Sequence, residues 1–131
     1  MRDLTVMVVE PDAEVRRDLV VLLQSISATR VVDYLAPATD LDEKSVMSTD
    51  LLVCGIPGGT EICDQLLPRI ARLAVRPAVV FHGPPVNFSE VERACLNLEL
   101  RYLGFLSRPL VKARLVRVLD LVRTNSRRTS T

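Results

Sequence analysis

The run Leu4-Thr5-Val6-Met7-Val8-Val9, closed by Glu10-Pro11-Asp12, decides the fold. A short, nearly all-apolar segment rich in valine suits a strand buried on both faces of a parallel sheet, since a strand with one wet face would alternate polar and apolar residues. This is strand one, Leu4 to Val9. Asp12 is placed to cap the helix behind it, in which Val15, Leu19, Leu22, Leu23 and Ile26 recur at helical spacing with Arg16, Arg17 and Asp18 on the other side. Helix one therefore follows strand one directly.

Working outward, the same alternation repeats. Val31 to Leu35 reads as a strand, Asp40 to Met47 as a short helix, and Leu51 to Cys54 as a third buried strand before the break Gly55-Ile56-Pro57-Gly58-Gly59. Thr60 to Ala74 reads as a helix with Ile62, Leu66, Ile70 and Leu73 on one face, which Pro68 must either kink or restart. Ala78 to Phe81 is strand four, and His82-Gly83-Pro84-Pro85 is the loop at its carboxyl end. Ser89 with Glu92 forms a capping box, after which Val91, Ala94, Cys95 and Leu98 make the apolar stripe of helix four. Tyr102 to Leu106 is strand five, and beyond Pro109 the positions Leu115, Val118, Leu119 and Val122 give the last helix its buried face. Residues 1–123 make one domain, and 124–131 read as a polar tail or linker.

Five buried strands alternating with five helices imply a parallel sheet with right-handed crossovers and helices on both faces. This is the doubly wound, flavodoxin-like α/β class with strand order 2-1-3-4-5. In such sheets chemistry sits outside the carboxyl ends of the strands, so function is expected in the loops after strands one, three, four and five.

Composition narrows what that function can be. The 131 residues, 48% hydrophobic and 25% charged, are enough for one domain to bury a core without disulfides or metal. With 17 Lys+Arg against 16 Asp+Glu, the net charge of +1 offers no global attraction for DNA. Cys54, Cys63 and Cys95 form no C-x-x-C pair and His82 is the sole histidine, so neither a disulfide framework nor a zinc site is indicated. Apolar runs such as Leu19 to Leu23 are far below the roughly 20 residues that span a bilayer, and no h-region marks the N-terminus. A cytoplasmic protein with three buried thiols, no cofactor and no membrane contact is expected.

Four strand ends carry a resemblance. Val8-Val9-Glu10-Pro11-Asp12 resembles the first acidic turn of a response-regulator receiver domain, and Asp50-Leu51-Leu52-Val53-Cys54-Gly55 resembles its third strand. Pro77-Ala78-Val79-Val80-Phe81-His82-Gly83 is similar to the fourth strand, and Gly104-Phe105-Leu106-Ser107-Arg108-Pro109 to the last strand with its Lys-Pro end. The resemblance covers about Leu4 to Val122. It implies a phosphorylated aspartate ending strand three, and Gly55 stands there. It implies a magnesium site drawing on two acids after strand one; Glu10 is present, but Pro11 replaces the second, and Asp12 as a helix cap turns toward backbone amides. It implies a Ser/Thr hydroxyl where His82 stands and a lysine where Arg108 stands. Asp50 lies about 16 Å back along an extended strand, and Cys54 alternates to the opposite face, so neither replaces the aspartate.

The degenerate site is therefore Glu10, Pro11, Gly55, His82 and Arg108. His82 would serve as a general base only beside a nucleophile or second acid, and the sequence places neither, so it reads as filling a vacated polar pocket. Arg108 is set to pair with Glu10, holding one conformation instead of switching. Gly58-Gly59 reads as a bare turn, without the lysine of a phosphate loop. Phe105 falls where receivers carry a switching aromatic, and a half-buried core aromatic is an equal reading. Arg101, Lys112, Arg114 and Arg117 gather around strand five and the last helix, the region through which the family dimerises or meets its outputs. The expected function is non-catalytic, by protein binding through the face of helix four, strand five and helix five, a homodimer included. The alternative is a domain binding an anionic small molecule or nucleotide second messenger at its strand ends.

Overall fold

The computed structural model describes residues 3–34, 42–56, 61–84 and 88–129. The elements in chain order are β1 Leu4–Val9, α1 Ala13–Gln24, β2 Thr29–Tyr34, α2 Glu43–Met47, β3 Leu51–Gly55, α3 Glu61–Ala71, β4 Ala78–Gly83, α4 Phe88–Asn97, β5 Tyr102–Ser107 and α5 Lys112–Thr129. The strands form one parallel sheet in the order β2-β1-β3-β4-β5. Every residue of β3 and β4 is buried, which is why those segments read as continuous apolar runs.

Alternation along the strands sorts the core into two layers. Val6, Val8, Leu51, Val53, Ala78 and Val80 pack against Leu19 and Leu23 of α1 and Leu115, Val118, Leu119 and Val122 of α5. On the other face Met7, Val9, Leu52, Cys54, Val79 and Phe81 meet Val46 of α2, Leu66, Leu67 and Ile70 of α3, and Val91 and Cys95 of α4. Asp12 caps α1 as expected, its Oδ1 accepting from the Glu14 and Val15 amides at 2.9 and 3.2 Å.

Several boundaries differ from expectation. Pairing in register carries β3 on to Gly55 and β4 on to Gly83, so His82 lies within a strand and not in the following loop. Helix α4 begins one step before the expected cap, at Phe88, which places Ser89 and Glu92 inside the first turns, so Ser89 is not the cap and the capping-box reading fails. Pro68 does not restart α3, which runs through it to Ala71 and leaves Arg72–Ala74 outside. Near a helix end the proline removes only one main-chain bond. The polar residues from Thr124 continue α5 as far as Thr129. Leu35, Asp40, Pro57, Gly58, Gly59 and Thr60 lie outside the described residues, and so do the side chains of Ile62 and Cys63.

Candidate functional site: a filled pocket at the strand ends

Glu10, Gly55 and His82 follow residues that face α3 and α4, and so fall on the α1/α5 side of the sheet. Gly55 is paired with His82, and Val9 with Cys54, which brings the three to one level on adjacent strands β1, β3 and β4. The missing side chain in the middle is what organises the site. A Cβ built on Gly55 would overlap the Glu10 carboxylate, with Oε1 only 2.7 Å away. Glu10 has thus leaned across β3 into the space that a side chain at position 55 would need.

Arg108, just past the end of β5, donates from Nη2 to Glu10 Oε1 at 3.1 Å. Its guanidinium is 39% exposed whereas the Glu10 side chain is fully buried. Arg16 Nη1 donates to the Glu10 carbonyl at 2.8 Å, tying α1 to the same turn. The expected Glu10–Arg108 pair is therefore formed, and Pro11 beside it is exposed. Asp12 remains committed to its cap.

The pocket is short of hydrogen-bond partners. Among the described residues Glu10 Oε2 and both ring nitrogens of His82 have none, although both residues are buried. Burial, opposed by Arg108 and helped by Asp12, pushes the Glu10 carboxyl up to about 7. Burial and then the Arg108 charge push the His82 imidazole down to about 4, so it is neutral at pH 7. Neutral histidine could accept a proton, but the nearest thiol along the paired strand, Cys54, packs in the opposite core layer and cannot give one. Among the described residues no three His, Cys, Asp or Glu side chains gather closely enough to hold a metal ion.

The expected interaction residues separate into groups. Arg114, Arg117 and Leu121 lie at i, i+3 and i+7 on one exposed stripe of α5. Lys112 does not join them: its Nζ donates to the Ser25 carbonyl at 3.2 Å, turning it toward α1. Arg101 is half-buried, its Nη2 against the Val122 carbonyl at 3.4 Å, so it ties the start of β5 to α5. Phe105 is half-buried and meets Phe88 edge-on, with ring centroids 5.6 Å apart.

Sequence reasoning missed the apolar part of this face. Of the six exposed large hydrophobic side chains among the described residues, Phe88 and Leu96 on α4 and Leu121 on α5 stand beside edge strand β5, with Val111 just before α5. Phe88, Glu92 and Leu96 are spaced i, i+4, i+8 along α4, a stripe that would have been visible had the helix been started at Phe88. Among the described residues no helix is long and apolar enough to cross a membrane.

With the geometry in place, comparison with solved structures identifies the architecture. The response regulatory domain of mrkE from Klebsiella pneumoniae superposes with a TM-score of 0.67 at 19% identity, covering 93% of this chain and 97% of that one. A response regulator receiver protein from Burkholderia phymatum gives 0.65 at 20% identity over 92% and 94%. The E. coli RcsC C-terminus, which contains a linker region and phosphoreceiver domain, gives 0.72 at 13% identity, over 99% of this chain and 50% of that one. No family model matches the sequence, and no curated protein does. The fold is that of the CheY-like receiver domains, as the strand ends implied.

Proposed function

We propose that this chain is a non-catalytic pseudo-receiver of the two-component type, which acts by binding a protein partner without being phosphorylated. One observation carries the reading: the place where a receiver would hold its phosphoryl acceptor is occupied by the Glu10 carboxylate, paired with Arg108 and resting where Gly55 has no side chain. Gly55 supplies no nucleophile, and a side chain at that position would meet the Glu10 carboxylate. Incubation with acetyl phosphate or a sensor kinase is expected to leave the intact mass unchanged. Acid-labile phosphate mapped to any residue at the strand ends sinks the proposal.

The binding surface is the face of α4, β5 and α5, where α4 exposes Phe88 and Leu96 and α5 exposes Leu121 on one stripe with the cations Arg114 and Arg117. Exposed apolar side chains together with a cationic helix stripe fit an acidic protein partner, and β5, an edge strand, leaves one side of its backbone open. Reversing both charges, Arg114→Glu with Arg117→Glu, is expected to cost within about 0.5 kcal/mol of stability per site because both are exposed. The same variant is expected to bind a partner isolated with the wild-type protein about tenfold more weakly at low salt. Arg101 is left out because its bond to Val122 makes it part of the fold. Unchanged affinity in the folded double variant places the interface elsewhere.

A further inference from the structure

We propose that the groove between α1 and the β5–α5 connection binds an amphiphilic monocarboxylate, with its aliphatic chain against Leu19, Leu22 and Leu110 and its carboxylate on Arg108. This does not rest on the protein-docking face, which lies on the other flank of α5. The groove encloses about 510 Å³, within the range of small-molecule sites. Val15, Leu19 and Leu22, at i, i+4 and i+7, form the wall on α1, and Pro109 and Leu110 form the opposite wall. Val15, Leu22 and Leu110 are only half-buried, so the apolar stripe of α1 is incompletely covered.

Among the described residues one cation lines this apolar trough, Arg108, whose Nη2 donates to Glu10. A guanidinium carries five N–H donors, and the pairing with Glu10 holds it in place, so a ligand carboxylate finds a pre-positioned partner for two parallel bonds. Asp18 stands exposed at the rim and disfavours a second negative charge, which selects a monoanion over a phosphate.

The seam between α1 and α5 also argues against a long partner helix as occupant. Lys112 reaches across it to the Ser25 carbonyl at 3.2 Å. On the far side a separate cavity of about 420 Å³ is lined by Ile26, Ala28, Val116 and Arg123. The seam is thus divided into short compartments, each suited to a small molecule.

Sodium decanoate titrated into the full chain, followed by leucine methyl NMR and thermal melting, tests the proposal. Saturable shifts are expected at Leu19, Leu22 and Leu110, with a raised melting temperature. Binding at least about tenfold weaker is expected for 1-decanol, and for decanoate on Arg108→Gln, since a hydrogen bond to a charged group is lost. Leu22→Gln should weaken binding while keeping a cooperative melt, and Glu10→Gln, which keeps the guanidinium, should still bind. Equal affinity for decanoate and decanol, inorganic phosphate giving the same shifts, or an Arg108→Gln variant that binds as wild type overturns it. Shifts that instead follow protein concentration alone, with dimerisation in the ultracentrifuge, assign the groove to a second copy and equally overturn it.

Discussion

Gly55→Ala is expected to destabilise the protein by about 2 kcal/mol, and most of that loss is expected to disappear when Glu10 is also replaced by alanine. At a site with room, exchanging glycine for alanine gains about 0.4–1 kcal/mol by restricting the unfolded chain. Here the sign reverses, because the new Cβ would meet the Glu10 carboxylate. The glutamate is the flexible partner, so it must leave its pocket and give up Arg108, stranding a cation that is partly solvated and a carboxylate that is not. In the Glu10→Ala background the three atoms nearest the new Cβ, all of them in the Glu10 carboxylate, are gone, and the main source of the penalty goes with them. Urea unfolding of the four proteins gives the coupling directly. Should Gly55→Ala be as stable as wild type, or cost the same in both backgrounds, Glu10 does not fill that space. Gly55→Asp is expected to fare worse than Gly55→Ala and not to restore phosphorylation, since it brings a second carboxylate into a pocket where Oε2 of the first already lacks a partner among the described residues.

The sheet was legible because its central strands are buried on both faces, so that Leu4–Val9 and Leu51–Gly55 appear as nearly unbroken apolar runs whatever surrounds them. Helix ends were less so. Whether α4 begins at Phe88 or at Ser89 turns on the contact of Phe88 with Phe105, 17 positions further along the chain, which no local pattern contains. The same holds for strand ends: His82 is drawn into β4 by pairing with Gly55, and its carbonyl accepts from the Ile56 amide at 2.9 Å.

At the site, the glycine, the surviving acid and the arginine were all visible, and so was the ion pair they allow. What the sequence could not disclose was the rotamer of Glu10, which depends on the space left by the absent side chain at Gly55 and on a guanidinium 98 residues away. For the basic surface the limit was helical phase. Lys112, Arg114 and Arg117 are near neighbours in sequence, yet at about 100° per residue Lys112 points to α1 while the other two point outward. The sequence groups them; only the packing of α5 against Leu19 and Leu23 separates them.

Wild-type stability is expected to be nearly flat between pH 4.5 and 6.5, and single substitutions are expected to expose two opposed slopes of about 3 kcal/mol each. The Glu10 carboxyl titrates near 7 in the folded protein against 4.5 in the open chain, mainly because burial disfavours its charged form. The folded state therefore holds an extra proton in that interval, and the stability this confers is complete below 4.5 and lost as pH rises through 7. His82 runs the other way. Its imidazole is lowered from 6.5 to about 4, mainly by burial and further by Arg108. The unfolded chain takes up that proton first, so stability from neutral His82 is complete above 6.5 and lost as pH falls through 4. In Glu10→Gln the histidine slope stands alone and stability should climb from pH 4 to 6.5. In His82→Leu the glutamate slope stands alone and stability should fall from pH 4.5 to 7, from a higher starting level because two unpartnered ring nitrogens are gone. Chemical denaturation across that pH range reads both curves. If the two variants follow parallel profiles, the two groups do not titrate from opposed positions in one dry pocket, and the account of how Glu10 and His82 fill the strand ends is wrong.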